Sequence, residues 1–236
     1  RELPESIRTM DDFLPMNAST RENIRKVRAS YYGRISLIDR WIGRIFDACE
    51  DRGILDGMLI VFWSDHGDML GDHRRLFKTT FHESSMRVPL IIRWPGHSQQ
   101  GATSDALVEI VDVYPTILAA LEIHGPSRCM GGSLLPLLSD PDAPFRDCQL
   151  SEIHRAGERR LCLRTHAHKY AVRQNGDGYM LYDLQHDPEE QHNLIGRNGD
   201  LECALRDQLL RRLIASQYST MGQRQDPMMP GLLRPT

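Results

Sequence analysis

Asp65 and His66 stand side by side and offer a hard carboxylate oxygen and an imidazole nitrogen, a common pair of ligands for a divalent metal. Ser64 precedes them, and Gly67 follows where the backbone can turn sharply. Asp68, Asp72 and His73 add further ligand-type groups within a few residues. Two ligands are not a site, because a divalent ion needs at least one or two more from elsewhere. The same tetrapeptide also reads as a turn closed by an Asx hydrogen bond. Lys78 comes thirteen residues after Asp65. A lysine beside a metal site can neutralise an anionic substrate or a developing oxyanion. Taken alone, it reads equally as a surface lysine.

The pair must be held by the elements around it. Met58-Leu59-Ile60-Val61-Phe62-Trp63 is a short continuous apolar run, the pattern of a strand covered on both faces in a parallel sheet. The residues in question would then sit at its carboxyl end, the edge where open α/β sheets bind ligands. Upstream, Ser19 or Thr20 caps a helix whose Ile35, Ile38, Ile42, Ile45 and Cys49 recur at helical spacing, with Trp41 and Phe46 widening the stripe. Gly53 suits its C-terminal end. Downstream, Val88–Trp94 reads as a second strand, with Pro89 at its first residues or at an edge. Ala106–Val111 reads as a short strand or extended segment, and Asp112 as the cap of a helix to about Glu122 with Pro115 in its first turn. This alternation predicts a doubly wound α/β layer.

After Gly131-Gly132 the pattern changes. Pro136, Pro141 and Pro144 punctuate a loop region, followed by four short candidate strands: 149–154, 160–165, 169–174 and 179–184. Asn175-Gly176-Asp177-Gly178 joins two of them as a hairpin turn. A last helix is predicted over 201–216, with Leu205, Leu209, Leu210 and Leu213 on one side. The expected organisation is an α/β domain over 1–145 and a small antiparallel subdomain with a C-terminal helix and tail over 146–236. Residues 1–18, Pro126-Ser127-Arg128-Cys129 and the tail beyond Met221 read as irregular.

Composition narrows the function classes. With 40% hydrophobic and 26% charged residues, the 236-residue chain can build an ordinary globular core. A net charge of −3 argues against a nucleic-acid or membrane-surface binder, which needs clustered Lys and Arg. No apolar run approaches the roughly 18 residues that cross a bilayer. The five cysteines are scattered without a CxxC, which argues against a zinc knuckle or disulfide scaffold and for buried or free thiols. No signal peptide is visible, but the chain begins at Arg1 rather than Met, so compartment is left open.

Several stretches together resemble one family. Ile60–His73, Leu76-Phe77-Lys78 and Met86–Gly96 are similar to the second signature region of the sulfatases, members of the alkaline phosphatase-like superfamily. Val111–Leu118, Gly132–Leu138 and Leu181-Tyr182-Asp183-Leu184 with Asp187-Pro188-Glu189-Glu190 and Asn193-Leu194 resemble segments that follow in that family, in the same order. Several matches in sequence are more specific than any one of them.

The resemblance implies part of an alkaline phosphatase-like doubly wound sheet with a small antiparallel C-terminal subdomain. It implies that Asp65 and His66 bind a divalent metal and that Lys78 contacts the sulfate ester near the leaving oxygen. It further implies a sulfate-ester small molecule or glycan as substrate. Two departures qualify this. The family's nucleophile, a hydrated formylglycine made from the cysteine or serine of a Cys-x-Pro-x-Arg type motif, has no counterpart here. The expectation is therefore a C-terminal half, either a fragment or a truncated chain, inactive by itself. Many family members also carry Asp-Asn where this chain has Asp65-His66. An imidazole suits Mn²⁺ or Zn²⁺ better than Ca²⁺. That keeps phosphonate or phosphate ester hydrolysis open, alongside a catalytically silent structural or interaction module. His73, His82 and Arg87 are secondary candidates for lining the pocket, and each reads equally as a loop or packing residue. Homo-oligomerisation is left open.

Overall fold

The structure, a computed structural model, describes residues 20–124 and 129–221. The irregular stretches expected at 1–18, at 126–128 and beyond Met221 lie outside the described residues. Two compact units emerge. The first runs to Gly101 and includes Glu189–Gln191, and the second comprises Ala102–Pro188 and the chain from His192 on.

The first unit opens with helix α1 (Arg21–Glu50). Thr20 is its N-cap, and its hydroxyl accepts the Asn23 N–H at 3.2 Å. Just past the helix, Gly53 takes φ +66° and donates to the Glu50 carbonyl at 2.8 Å. The apolar stripe exists as expected, but among the described residues it meets no core: Ile35, Ile38, Trp41 and Ile45 are each about half exposed. After a 3₁₀ turn at Leu55–Gly57, strand β1 (Ile60–Trp63) pairs with β2 (Leu90–Arg93), with the short helix α2 (Glu83–Met86) between them.

The pairing corrects one expectation. β1 runs antiparallel to β2, from Ile60 opposite Arg93 to Trp63 opposite Leu90, and Phe62, Trp63 and Ile91 stay exposed. A continuous apolar run is compatible with either strand direction, so it could not fix the partner. Pro89 sits just before β2, where its missing N–H interrupts no ladder.

Of the two forms expected near 106–111, a short strand or an extended segment, the second unit begins with no strand there, and Glu109 is extended. That stretch ends in a 3₁₀ turn, Ile110–Asp112, and helix α3 (Val113–Ala120) follows with Pro115 in its first turn. Asp112 is wholly buried and accepts from the Glu109 N–H at 2.6 Å, the Gly132 N–H at 2.8 Å and Arg146 Nη2 at 2.6 Å. It closes a capping box with Glu109 rather than capping α3 by its side chain. Glu109 in turn pairs with Arg146 and Arg212 and accepts the Leu150 N–H, so a single polar knot joins the turn, the sheet and the last helix. A Cβ at Gly131 would collide with the Val111 carbonyl. A further short helix, α4 (Leu135–Ser139), precedes the sheet.

Strands β3 (Cys148–Arg155), β4 (Glu158–Thr165), β5 (His168–Val172) and β6 (Gly178–Asp183) form an antiparallel meander in chain order, each within a few residues of its expected place. In the β5–β6 turn, Asn175 Oδ1 accepts the Asp177 N–H and Gly176 takes φ +88°. Helix α5 (Gly199–Met221) brings Leu205 and Leu209 to one face of the sheet. There they pack with Cys148, Leu163, Tyr170, Val172 and Leu181. Leu213 is partly buried at the margin, whereas Leu210 is exposed, because it lies about 100° around the helix from Leu209.

Candidate functional site

Asp65 and His66 lie just beyond the end of β1, in the loop that leads to α2. Two bonds shape the pair. The Asp65 carboxylate accepts the N–H of the next residue, His66, at 3.0 Å, whereas the Gly67 N–H that an Asx turn would use donates to the Ser85 carbonyl instead. His66 Nδ1 faces the Gly67 carbonyl at 2.9 Å. A carbonyl oxygen only accepts, so Nδ1 carries the proton in this contact, and in the neutral ring Nε2 is then left with its lone pair. That Nε2 stands 3.5 Å from Asp65 Oδ2. Two metal bonds of about 2.1 Å at ordinary ligand angles span roughly 3.0–3.4 Å, close to this separation. Among the described residues, no group of three or more His, Cys, Asp or Glu side chains converges as a complete metal shell requires.

The loop behind it is tightly wound. Leu70, His73, Arg74, Phe77 and Thr79 all take positive φ, between 46° and 76°. Each such non-glycine residue costs on the order of 1 kcal/mol or more, and strain of this kind persists only where surrounding bonds over-determine it. Those bonds are visible. Asp68 Oδ1 accepts from the Leu70 and Phe77 amides at 3.0 and 3.2 Å, and Met69 N–H donates to the Phe77 carbonyl at 2.7 Å. Asp72 takes Arg28 of α1 on one oxygen and Ser84 of α2 on the other, both at 2.8 Å. Arg28 also donates to the Leu70 carbonyl at 3.0 Å. Asp68 and Asp72 therefore hold the loop rather than extend the ligand set.

The remaining candidates divide. His73 stacks on His82, ring centroids 3.9 Å apart, and His82 is buried with Nδ1 2.7 Å from the Thr80 hydroxyl. Lys78 is exposed on the loop, and Arg87 is exposed at the end of α2. No hydrogen bond or ion pair links Lys78 or Arg87 to Asp65 or His66 among the described residues. Sequence reasoning missed Arg28, Ser84 and Ser85. Their signal is weak, since an arginine on a helix and two serines before a strand are ordinary surface residues until the loop folds onto them.

Two family profiles match the chain. One, described as Sulfatase, covers residues 2–123, and the other, described as N-sulphoglucosamine sulphohydrolase, C-terminal, covers residues 71–218. Arylsulfatase K of Gallus gallus is 34% identical over 206 residues, covering 83% of this chain and 38% of that protein. The multifunctional alkaline phosphatase superfamily protein PehA of Trinickia caryophylli is 34% identical over 194 residues, covering 73% of this chain and 37% of that protein. Among solved structures, the phosphonate monoester hydrolase of Agrobacterium radiobacter superposes with a TM-score of 0.78 at 28% identity, over 85% of this chain and 44% of that one. BT4656, solved with its substrate D-glucosamine-2-N,6-O-disulfate, superposes with a TM-score of 0.69 at 29% identity, over 84% of this chain and 41% of that one. The chain thus spans less than half the length of the relatives it matches.

Proposed function

Because this chain belongs to the sulfatase family, an α/β fold of the alkaline phosphatase-like superfamily, we propose that it supplies one side of a site that hydrolyses sulfate esters. The observation that carries this reading is the aimed pair: Asp65 Oδ2 and His66 Nε2, 3.5 Å apart at the end of β1, with the tautomer set by the Gly67 carbonyl. In this reading Asp65 and His66 would hold a divalent ion, whose Lewis acidity would serve to polarise the sulfuryl oxygens and activate the nucleophile. Asp65 gives it charge, His66 gives it a neutral donor, and the braced loop keeps both from swinging away. Lys78, exposed on the same loop, supplies positive charge where the alcohol oxygen departs. None of the five cysteines lies in a Cys-x-Pro-x-Arg motif, so the formylglycine nucleophile of this chemistry comes from outside these residues. Residues 1–145 would form the chain's share of the catalytic domain, and 146–236, which open into β3, the antiparallel appendage. The bound substrate of BT4656, a doubly sulfated glucosamine, supports a sulfated sugar or small molecule as the ester.

A second reading has its own support. His66 offers nitrogen where a calcium site would favour oxygen, and two of the relatives are named for phosphonate or alkaline phosphatase-type chemistry. The two readings separate in one experiment. The protein at its native length is assayed on 4-nitrophenyl sulfate and on a phenyl phosphonate ester, with elemental analysis of its metal. Sulfate turnover that disappears in Asp65→Ala and His66→Ala is the expected result. For Lys78→Ala the loss should fall mainly on substrates with poor leaving groups. Retained sulfate turnover in the two ligand variants overturns the assignment, and phosphonate turnover alone favours the second reading.

A further inference from the structure

We propose that Glu190 is a positioning residue for the Asp65–His66 pair, acting through the short helix α2. The inference rests on the reading of that pair as metal ligands, but the contacts that carry it are separate. Glu190 is 2% exposed, and its Oε2 accepts the Glu83 N–H at 2.7 Å across 107 residues of sequence. Glu83 is the first residue of α2, whose own N-cap residue, His82, makes no side-chain capping bond. A helix start leaves amide donors unsatisfied, and here the carboxylate that meets one comes from a distant segment.

What α2 does next links this bond to the ligands. Gly67 N–H donates to the Ser85 carbonyl at 2.8 Å. The Cα of Gly67 lies so close to the Ser84 carbonyl that no Cβ fits between them. Ser84 Oγ holds Asp72 at 2.8 Å, and the Gly67 carbonyl in turn fixes the His66 ring through Nδ1. The route is therefore short: Glu190 anchors Glu83, Ser84 and Ser85 form the wall against which Gly67 is pressed, and Gly67 orients the imidazole. Groups that orient a metal ligand without touching the ion typically change metal affinity or activity by 10- to 100-fold when removed. Glu190 lies in the Asp187-Pro188-Glu189-Glu190 segment, which by sequence belongs to a hairpin end and carries no sign of a role at the ligand loop.

The test uses the protein at its native length with Glu190→Ala, Glu190→Gln and, as a control, Glu189→Ala at the exposed neighbour. Three quantities are read: amide hydrogen exchange over 64–72 and 82–87, the dissociation constant for Mn²⁺ by equilibrium dialysis, and kcat and KM on 4-nitrophenyl sulfate. Glu190→Ala should speed exchange in both segments while β3–β6 stay protected. It should weaken Mn²⁺ by about 10- to 100-fold and lower kcat more than it raises KM. Glu190→Gln keeps an acceptor oxygen and should restore most of each loss, and Glu189→Ala should change none. Unaltered exchange over 64–72 in Glu190→Ala overturns the proposal whatever the activity. So does loosening that extends equally to β3–β6 without rescue by glutamine, which marks a general structural role. A wild-type protein that neither binds a divalent ion nor hydrolyses the ester sinks the functional reading instead, and the exchange result still decides the part played by Glu190.

Discussion

The sheet of the second unit and the helix and ribbon of the first both carry apolar sequence and use it in opposite ways. Between β3–β6 and α5, Leu163, Tyr170 and Leu181 are fully buried, and the layer is closed by Leu205 and Leu209. In the first unit, α1 has no buried residue, and β1 and β2 leave Phe62, Trp63 and Ile91 exposed. A two-stranded ribbon is marginal by itself, and an amphipathic helix draws most of its stability from what its apolar face packs on. The second unit thus holds itself together by burial. The first holds its functional loop by hydrogen bonds, through Asp68, Asp72 and Glu190, and spends backbone strain to do so.

The largest effect should come from the core. Tyr170→Ala removes a wholly buried ring and should cost about 3–5 kcal/mol in denaturant unfolding, by analogy with other buried aromatic truncations. Ile38→Ala, on the half-exposed stripe of α1, should stay within about 0.5 kcal/mol. A loss of several kcal/mol at Ile38 would break the contrast, since it would mean that this face is covered in the protein at native length.

Two glycines sharpen the comparison further. Gly67 and Gly131 each lie too close to a backbone carbonyl, of Ser84 and Val111 respectively, to accept a Cβ. Gly131→Ala should cost about 1–3 kcal/mol of stability by overpacking, seen as a lower unfolding midpoint. Gly67→Ala should register chiefly in function, as a kcat/KM about 10- to 100-fold lower, because it displaces the carbonyl that orients His66.

The smallest effect is a pH dependence confined to the second unit. Arg159 holds Glu152, and Arg160 holds Glu158, below the usual glutamate range. Because the folded values are the lower ones, the stabilisation is present above the ordinary glutamate pKa and is lost as pH falls through the depressed values. Both pairs lie near the surface, so solvent screens them and the change is modest. Urea midpoints measured from pH 6 to pH 3 should fall less steeply in the Glu152→Gln, Glu158→Gln double variant than in the wild type.

Much of this was legible residue by residue. The antiparallel meander followed from alternating strands and the Asn175–Gly178 turn, because a two-residue period and a turn of small polar residues depend only on neighbours in sequence. Helix α1 was legible from its 3.6-residue period and its cap at Thr20. Asp65 and His66 stood out by type and adjacency, Lys78 only through the resemblance, and the order of the matching segments pointed to the family. Strand direction was not legible. The apolar run of β1 suits parallel and antiparallel partners alike, and only the fold set Trp63 opposite Leu90.

What the sequence determined, then, was which side chains are available for chemistry and which local elements carry them, because periodicity, caps and turns are short-range properties of the chain. Tertiary structure alone decided how the Asp65–His66 pair is held. The tautomer of His66 depends on the Gly67 carbonyl, the place of Gly67 on a wall made by Ser84 and Ser85, and the start of that wall on a carboxylate 107 residues away. Hydrogen bonds between segments so far apart leave no periodic trace in a sequence, since their geometry exists only once both segments have folded.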